Sequence, residues 1–165
     1  MIKKPVLKLL NEQINKEFYA AYLYLGMSSK CTEMSRDGFA QWLRVQAEEE
    51  IEHAMKIYDF LHESGENVDL LPIDKPALKG KTLLDFFKQA YEHEQLVTAS
   101  INNIMDVAVK EKDYASQVFL QWFVTEQVEE EDQTSKIVAD LTFAKNDAAA
   151  ILAIEKKLGK REDDD

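Results

Sequence analysis

Residues 43–61, LRVQAEEEIEHAMKIYDFL, decide the fold. Leu43, Ala47, Glu50, Ala54, Ile57 and Leu61 recur at three- and four-residue spacing, which lines them along one face of an α-helix. A stripe of this kind packs into a core, yet its middle position is a glutamate. His53 follows Glu50 by three residues and shares its face of the helix. Residues 120–138, LQWFVTEQVEEEDQTSKIV, lie 77 positions further on and carry the stripe Leu120, Phe123, Gln127, Glu130, Thr134, Ile137, continued by Leu141. Its middle is polar as well.

Two further stripes behave the same way. One reads Leu7, Leu10, Ile14, Glu17, Ala21, Tyr24, and the other Phe87, Tyr91, Glu94, Val97, Ile101, Met105. The differences 94 − 17, 127 − 50 and 130 − 53 all equal 77, so the chain reads as a duplicated helical hairpin. The same offset matches Glu49 to Glu126 and Glu52 to Glu129, and apolar Trp42, Leu43, Ala47 and Ile51 to Phe119, Leu120, Val124 and Val128.

Punctuation divides the chain into five helices, about 6–34, 38–64, 82–111, 114–143 and 147–158. Pro5 opens the first, Ser35-Arg36-Asp37-Gly38 reads as a turn, and Asp113 and Asn146-Asp147 offer N-caps. Segment 65–80 holds Gly65, Pro72, Pro76 and Gly80 and forms a long connection. A 28-residue helix is roughly 42 Å long, and 16 extended residues reach about 50 Å. The connection therefore spans the bundle and lets the second and third helices run parallel, predicting an all-α four-helix bundle with one long crossover loop and a short fifth C-terminal helix. The expectation is a single domain over 1–165, with Arg161 to Asp165 a solvated acidic tail. Counted from the two hairpin turns, Glu17, Glu50, His53, Glu94, Gln127 and Glu130 fall within roughly 9 Å of one level along the bundle axis.

Composition agrees. The 165 residues carry 20 Lys+Arg against 31 Asp+Glu, a formal charge of −11. That balance, with no basic run, argues against nucleic-acid binding and favours the collection of cations. Five glycines and three prolines are too few to turn the corners of an all-β fold. Cys31, the one cysteine, excludes an internal disulfide and fits a reducing compartment, so the expected location is cytoplasmic. No stretch reads as a leader peptide or as a bilayer span, and no membrane partner is expected.

Taken singly, Glu48-Glu49-Glu50 and Glu129-Glu130-Glu131 are ordinary solvated helix faces, and one Glu-x-x-His is a weak signal. Together with the repeat they point to a buried site. Carboxylates gathered in a core repel one another and lose hydration unless opposite charge is supplied, and no Lys or Arg interrupts the stripes at this layer. A pair of divalent cations supplies it, with Glu50 positioned to bridge them. Oxygen-rich ligands with one imidazole suit iron or manganese, and zinc also occupies such sites. Tyr24 fits either a core tyrosine or a neighbour of the site. His62 and His93 read as surface or boundary histidines, and Cys31, Trp42 and Trp122 as packing.

With Asn11-Glu12-Gln13, Glu17-x6-Tyr24, Glu49-Glu50-x-x-His53, His93-Glu94-Gln95-Leu96 and Glu126-Gln127-x-Glu129-Glu130 in place, the chain resembles the prokaryotic non-haem ferritins over essentially its whole length. Ferritin-like di-iron bundles generally carry a second Glu-x-x-His, where this chain has Gln127-x-x-Glu130. Ile51 stands where bacterioferritins place a haem-ligating methionine, so no haem is expected. The resemblance implies a ferroxidase that oxidises Fe(II) with O2 or H2O2. Glu17, Glu50 and His53 would hold one iron, Glu50, Glu94 and Glu130 the second, with Gln127 close by and Tyr24 beside the centre. Glu49, Glu126, Glu129 and Glu130 would form a third iron site. It further implies a homo-oligomeric shell of 24 subunits storing ferric oxo-hydroxide mineral.

Three other readings share the bundle. A rubrerythrin-like di-iron peroxide reductase needs an electron-transfer module, and this chain has no Cys-x-x-Cys. A DNA-protecting mini-ferritin builds its metal site between subunits, whereas one chain here carries a complete set. A metal-free structural bundle predicts no tight metal uptake.

Overall fold

The computed structural model describes residues 2–161; the acidic residues 162–165 of the expected tail lie outside them. The elements are α1 (Lys4–Glu33), α2 (Asp37–Glu63), α3 (Leu83–Lys110), α4 (Tyr114–Ala144) and α5 (Ala148–Leu158), with no strand among the described residues. The first helix begins at Lys4 rather than residue 6, with Pro5 in its first turn, where the missing N–H leaves no bond unmade. Lys3 N donates to Asp113 Oδ2 at 2.8 Å, while Asp113 Oδ1 caps α4 by accepting from Ser116 N at 3.2 Å. Thr82 and Asp85 form a capping box at α3, and Asp147 caps α5.

The duplication reaches the backbone. Ser35 and Lys112, 77 positions apart, both sit at φ 56°. Arg36 N donates to Cys31 O and Asp113 N to Ala108 O, each at 2.9 Å, so the two hairpin turns close in the same way.

The crossover climbs alongside α1. Asp69 N donates to Asn11 Oδ1 at 2.7 Å, Asn15 Nδ2 to Pro72 O at 2.9 Å, and Leu78 comes to rest over Gly26, where an added Cβ would lie 3.5 Å from its side chain. Gln89 of α3 anchors the top, donating to Ala77 O at 2.8 Å and accepting from Lys79 N at 2.7 Å. After that climb α3 descends parallel to α2, the connectivity of a bundle with one long crossover.

Two apolar clusters fill the bundle. One gathers Leu23, Met27, Phe39, Trp42, Leu43, Phe87 and Leu141 with the buried Cys31, whose thiol burial pushes up to about 12. The other gathers Leu10, Ile14, Ile57, Leu61, Ile101, Leu120 and Phe123. Between them lies a layer of buried polar side chains from all four long helices: Gln13, Glu17, Gln46, Glu50, His53, Glu94, Gln127 and Glu130. Among the described residues no helix is long and apolar enough to cross a membrane.

Candidate metal centre

Each long helix delivers its polar groups to this layer because they occupy the buried positions of its stripe. Ligand atoms of Glu17, Glu50 and His53 lie within 4.8 Å of one another, and so do those of His53, Glu126 and Glu130. His53 Nδ1 stands 3.5 Å from Glu50 Oε2, and its ring is held edge-on by Trp122 at 5.4 Å and Phe123 at 6.0 Å between centroids. Trp122 is partly exposed, with Lys56 Nζ 4.3 Å from its ring centroid, so it walls the site as well as packing.

Glu94 belongs to neither group of three. Tyr24 donates its phenol proton to Glu94 Oε1, and Gln127 Nε2 donates to Glu94 Oε2 at 3.2 Å. Glu49 and Glu129 also stand outside both groups: Arg161 Nη2 donates to Glu49 Oε2, and exposed Glu129 accepts from Gln133 at 3.0 Å.

Amides complete the layer. Gln13 Nε2 donates to Glu17 Oε1 at 2.8 Å while its oxygen accepts from Ser100 at 2.6 Å. Gln46 Nε2 donates to Glu50 Oε1 at 3.1 Å and to Glu130 Oε2 at 2.8 Å. Sequence reasoning missed both roles. The available signal was their shared spacing, since each glutamine precedes its glutamate by four residues, one helical turn.

Arg161 corrects the expected solvated tail. Its guanidinium pairs with Glu49, donates to Gln46 Oε1 at 2.8 Å and lies 4.6 Å from the Trp42 ring centroid. His93 is a boundary residue with a buried Nε2 that has no partner among the described residues; Tyr19 and Tyr24 pack on it, and burial lowers its pKa to about 4.

The layer carries too much negative charge to ionise fully. Burial, then Glu50, pushes Glu17 up to about 8, and the same two causes push Glu94 up to about 8. Burial, then Glu130, raises Glu50 well above the ordinary carboxylate range, and burial, then Glu94, raises Glu130 in the same way. Tyr24 stays a neutral donor, held far above its usual range by burial and by Glu94. Glu17 Oε2 is buried with no hydrogen-bond partner among the described residues. An orphaned carboxylate oxygen on a glutamate grouped with Glu50 and His53 is what a cation site looks like from the protein's side.

A Ferritin-like domain family profile matches residues 7–144. The chain belongs to this family. It is 50% identical over 131 residues to a bacterial non-heme ferritin of Campylobacter jejuni, a match covering 79% of this chain and 78% of the relative. It is 41% identical over 159 residues, 96% of each chain, to a probable bacterial non-heme ferritin-like protein of Haemophilus influenzae. Among solved structures it superposes with a TM-score of 0.96 on an open pore ferritin of Archaeoglobus fulgidus, 42% identical, covering 98% of this chain and all of that one. The non-haem ferritin resemblance of the sequence is thereby established at the level of family and fold.

Proposed function

We propose that this ferritin takes up Fe(II), oxidises it at the buried layer and stores the product as ferric oxo-hydroxide inside a 24-subunit homo-oligomeric shell. The observation that carries the reading is Glu17 Oε2, a buried carboxylate oxygen without a partner among the described residues, on a side chain grouped with Glu50 and His53. Support for storage and for the shell comes from the non-heme ferritins and the archaeal ferritin to which the chain is similar.

Iron is the substrate. Glu17, Glu50 and His53 take one Fe(II), and Glu50, Glu94 and Glu130 take a second once Glu94 gives up the hydrogen bonds from Tyr24 and Gln127 that restrain it in the metal-free layer. Two Fe(II) release two electrons, the number that converts O2 to H2O2 or H2O2 to water. The carboxyls that hold protons in the metal-free layer release them as the cations enter, so charge is balanced without a lysine or arginine inside the stripes. Glu126 and Glu130, with Glu49 and Glu129 outside them, form the third iron position on the flank of the pair. The protein acts in the cytoplasm.

The test is the initial rate of Fe(II) oxidation in Glu50→Ala and His53→Ala variants. Both lose the fast phase while the assembly keeps its size on gel filtration; unchanged rates would reject the site. The rubrerythrin-like and DNA-protecting alternatives predict peroxide turnover without mineral and retardation of DNA at moderate salt, respectively.

A further inference from the structure

Three residues beyond the end of α5, Arg161 reaches the edge of the polar layer. The guanidinium makes three contacts there. Nη1 donates to Gln46 Oε1 at 2.8 Å, Nη2 donates to Glu49 Oε2, and the planar group lies over Trp42 at 4.6 Å from the ring centroid. The arginine side chain is only 15% exposed and that of Glu49 27%, unlike the loosely hydrated surface pairs that contribute little.

The contact with Gln46 passes inward. An amide offers an acceptor on one side and two donors on the other. With its oxygen taken by Arg161, Gln46 turns its N–H2 toward Glu50 at 3.1 Å and Glu130 at 2.8 Å, both carboxylates of the inner layer. The seat of this arrangement is α5. Gly38 N donates to Glu155 Oε1 at 3.3 Å and Arg36 Nη1 to Glu155 Oε2 at 3.3 Å. A Cβ on Gly38 would meet Glu155 O at 2.3 Å, and one on Gly159 would lie 3.0 Å from Gly38 Cα, so two glycines permit the close approach that carries Arg161 to Glu49.

We propose that Arg161 is a tethered cation that competes with a metal ion for Glu49, so that the third position binds metal more weakly while the arginine is docked. The guanidinium holds Glu49 Oε2 and repels a divalent cation approaching the same carboxylate, so a docked Arg161 weakens metal binding there. Docked, Arg161 also keeps the Gln46 donors on Glu50 and Glu130. Arg161 is a positioning residue for the inner pair and a competitor at the outer position. The inference rests on the proposed reading of Glu49, Glu126, Glu129 and Glu130 as a metal position.

Anaerobic calorimetric titration of the assembled full-length protein with Co(II) tests it, comparing the parent with Arg161→Gln, Glu49→Gln and Glu50→Ala. Arg161→Gln is expected to bind one further Co(II) per subunit, or to bind the outermost one at least about tenfold more tightly. Adding Glu49→Gln to Arg161→Gln is expected to remove that gain. Identical isotherms for the parent and Arg161→Gln overturn the inference while leaving the Glu50-dependent sites standing. Absence of any Glu50-dependent binding in the parent overturns the underlying metal reading, and the inference with it.

Discussion

Tyr24 on α1 donates its phenol proton to Glu94 Oε1 on α3, and Gln127 on α4 covers the other oxygen of the same carboxyl at 3.2 Å. Glu17, across the layer, has one oxygen held by Gln13 at 2.8 Å and the other buried without a partner among the described residues. The two halves of the duplicated site are therefore unequal before any cation enters. An ion between Glu17, Glu50 and His53 satisfies an orphaned group, whereas one engaging Glu94 must displace a hydrogen bond.

Sequential filling follows from that inequality. In anaerobic Zn(II) titration, Glu94→Ala is expected to retain the tighter binding step and lose the weaker one, while Glu17→Ala loses the tighter. Tyr24→Phe releases Glu94 and is expected to tighten the second step by about fivefold, the equivalent of one net hydrogen bond. A second step weakened by Tyr24→Phe would mean that the phenol holds Glu94 in its binding posture.

The raised carboxyls make stability depend on pH. Glu17 and Glu94 titrate at about 8 in the folded chain and at the ordinary 4.5 once unfolded. Between those values the folded protein holds more protons than the unfolded one, so stability falls as pH rises through this window and is level on either side of it. The metal-free protein is accordingly expected to melt at progressively lower temperature from pH 5 to pH 8, and the gain in Tm on adding Zn(II) to grow over the same range. Glu17→Gln flattens the slope. A metal-free Tm that climbs through this interval contradicts the assignment.

Much of this centre was legible because a buried carboxylate in a periodic stripe has no ordinary explanation. Glu17, Glu50, Glu94 and Glu130 each occupy a position where the helix repeat demands an apolar residue, and the 77-residue offset reappears in the turn backbone at Ser35 and Lys112. Gln13 is buried one turn before Glu17 and Gln46 one turn before Glu50, but glutamine at such positions is common and only the carboxylate opposite gives it a role. Arg161 was not legible at all. It follows the last helix, carries no periodicity, and reaches Glu49 only because α5 folds back onto α2 through Gly38.

The seat of α5 gives a mechanical prediction. Gly38→Ala places a methyl against Glu155 O at the N-terminus of α2. Overpacking of this kind costs about 1–3 kcal/mol, relieved here by lifting the short helix. Hydrogen exchange of the α5 amides in Ala148–Leu158 is expected to accelerate, with the four long helices protected as before. Equal protection of α5 in both proteins would show that the contact adapts.

The most direct test of the whole account is the iron retained per subunit in the soluble assembly after metal-free protein receives excess Fe(II) in air, with Glu50→Ala as control. Retention far above the few ions these side chains can ligate, lost or slowed in the control, is the predicted result. Saturation at about two irons, the capacity of a di-iron carboxylate site, would contradict storage and leave a redox enzyme on the same bundle.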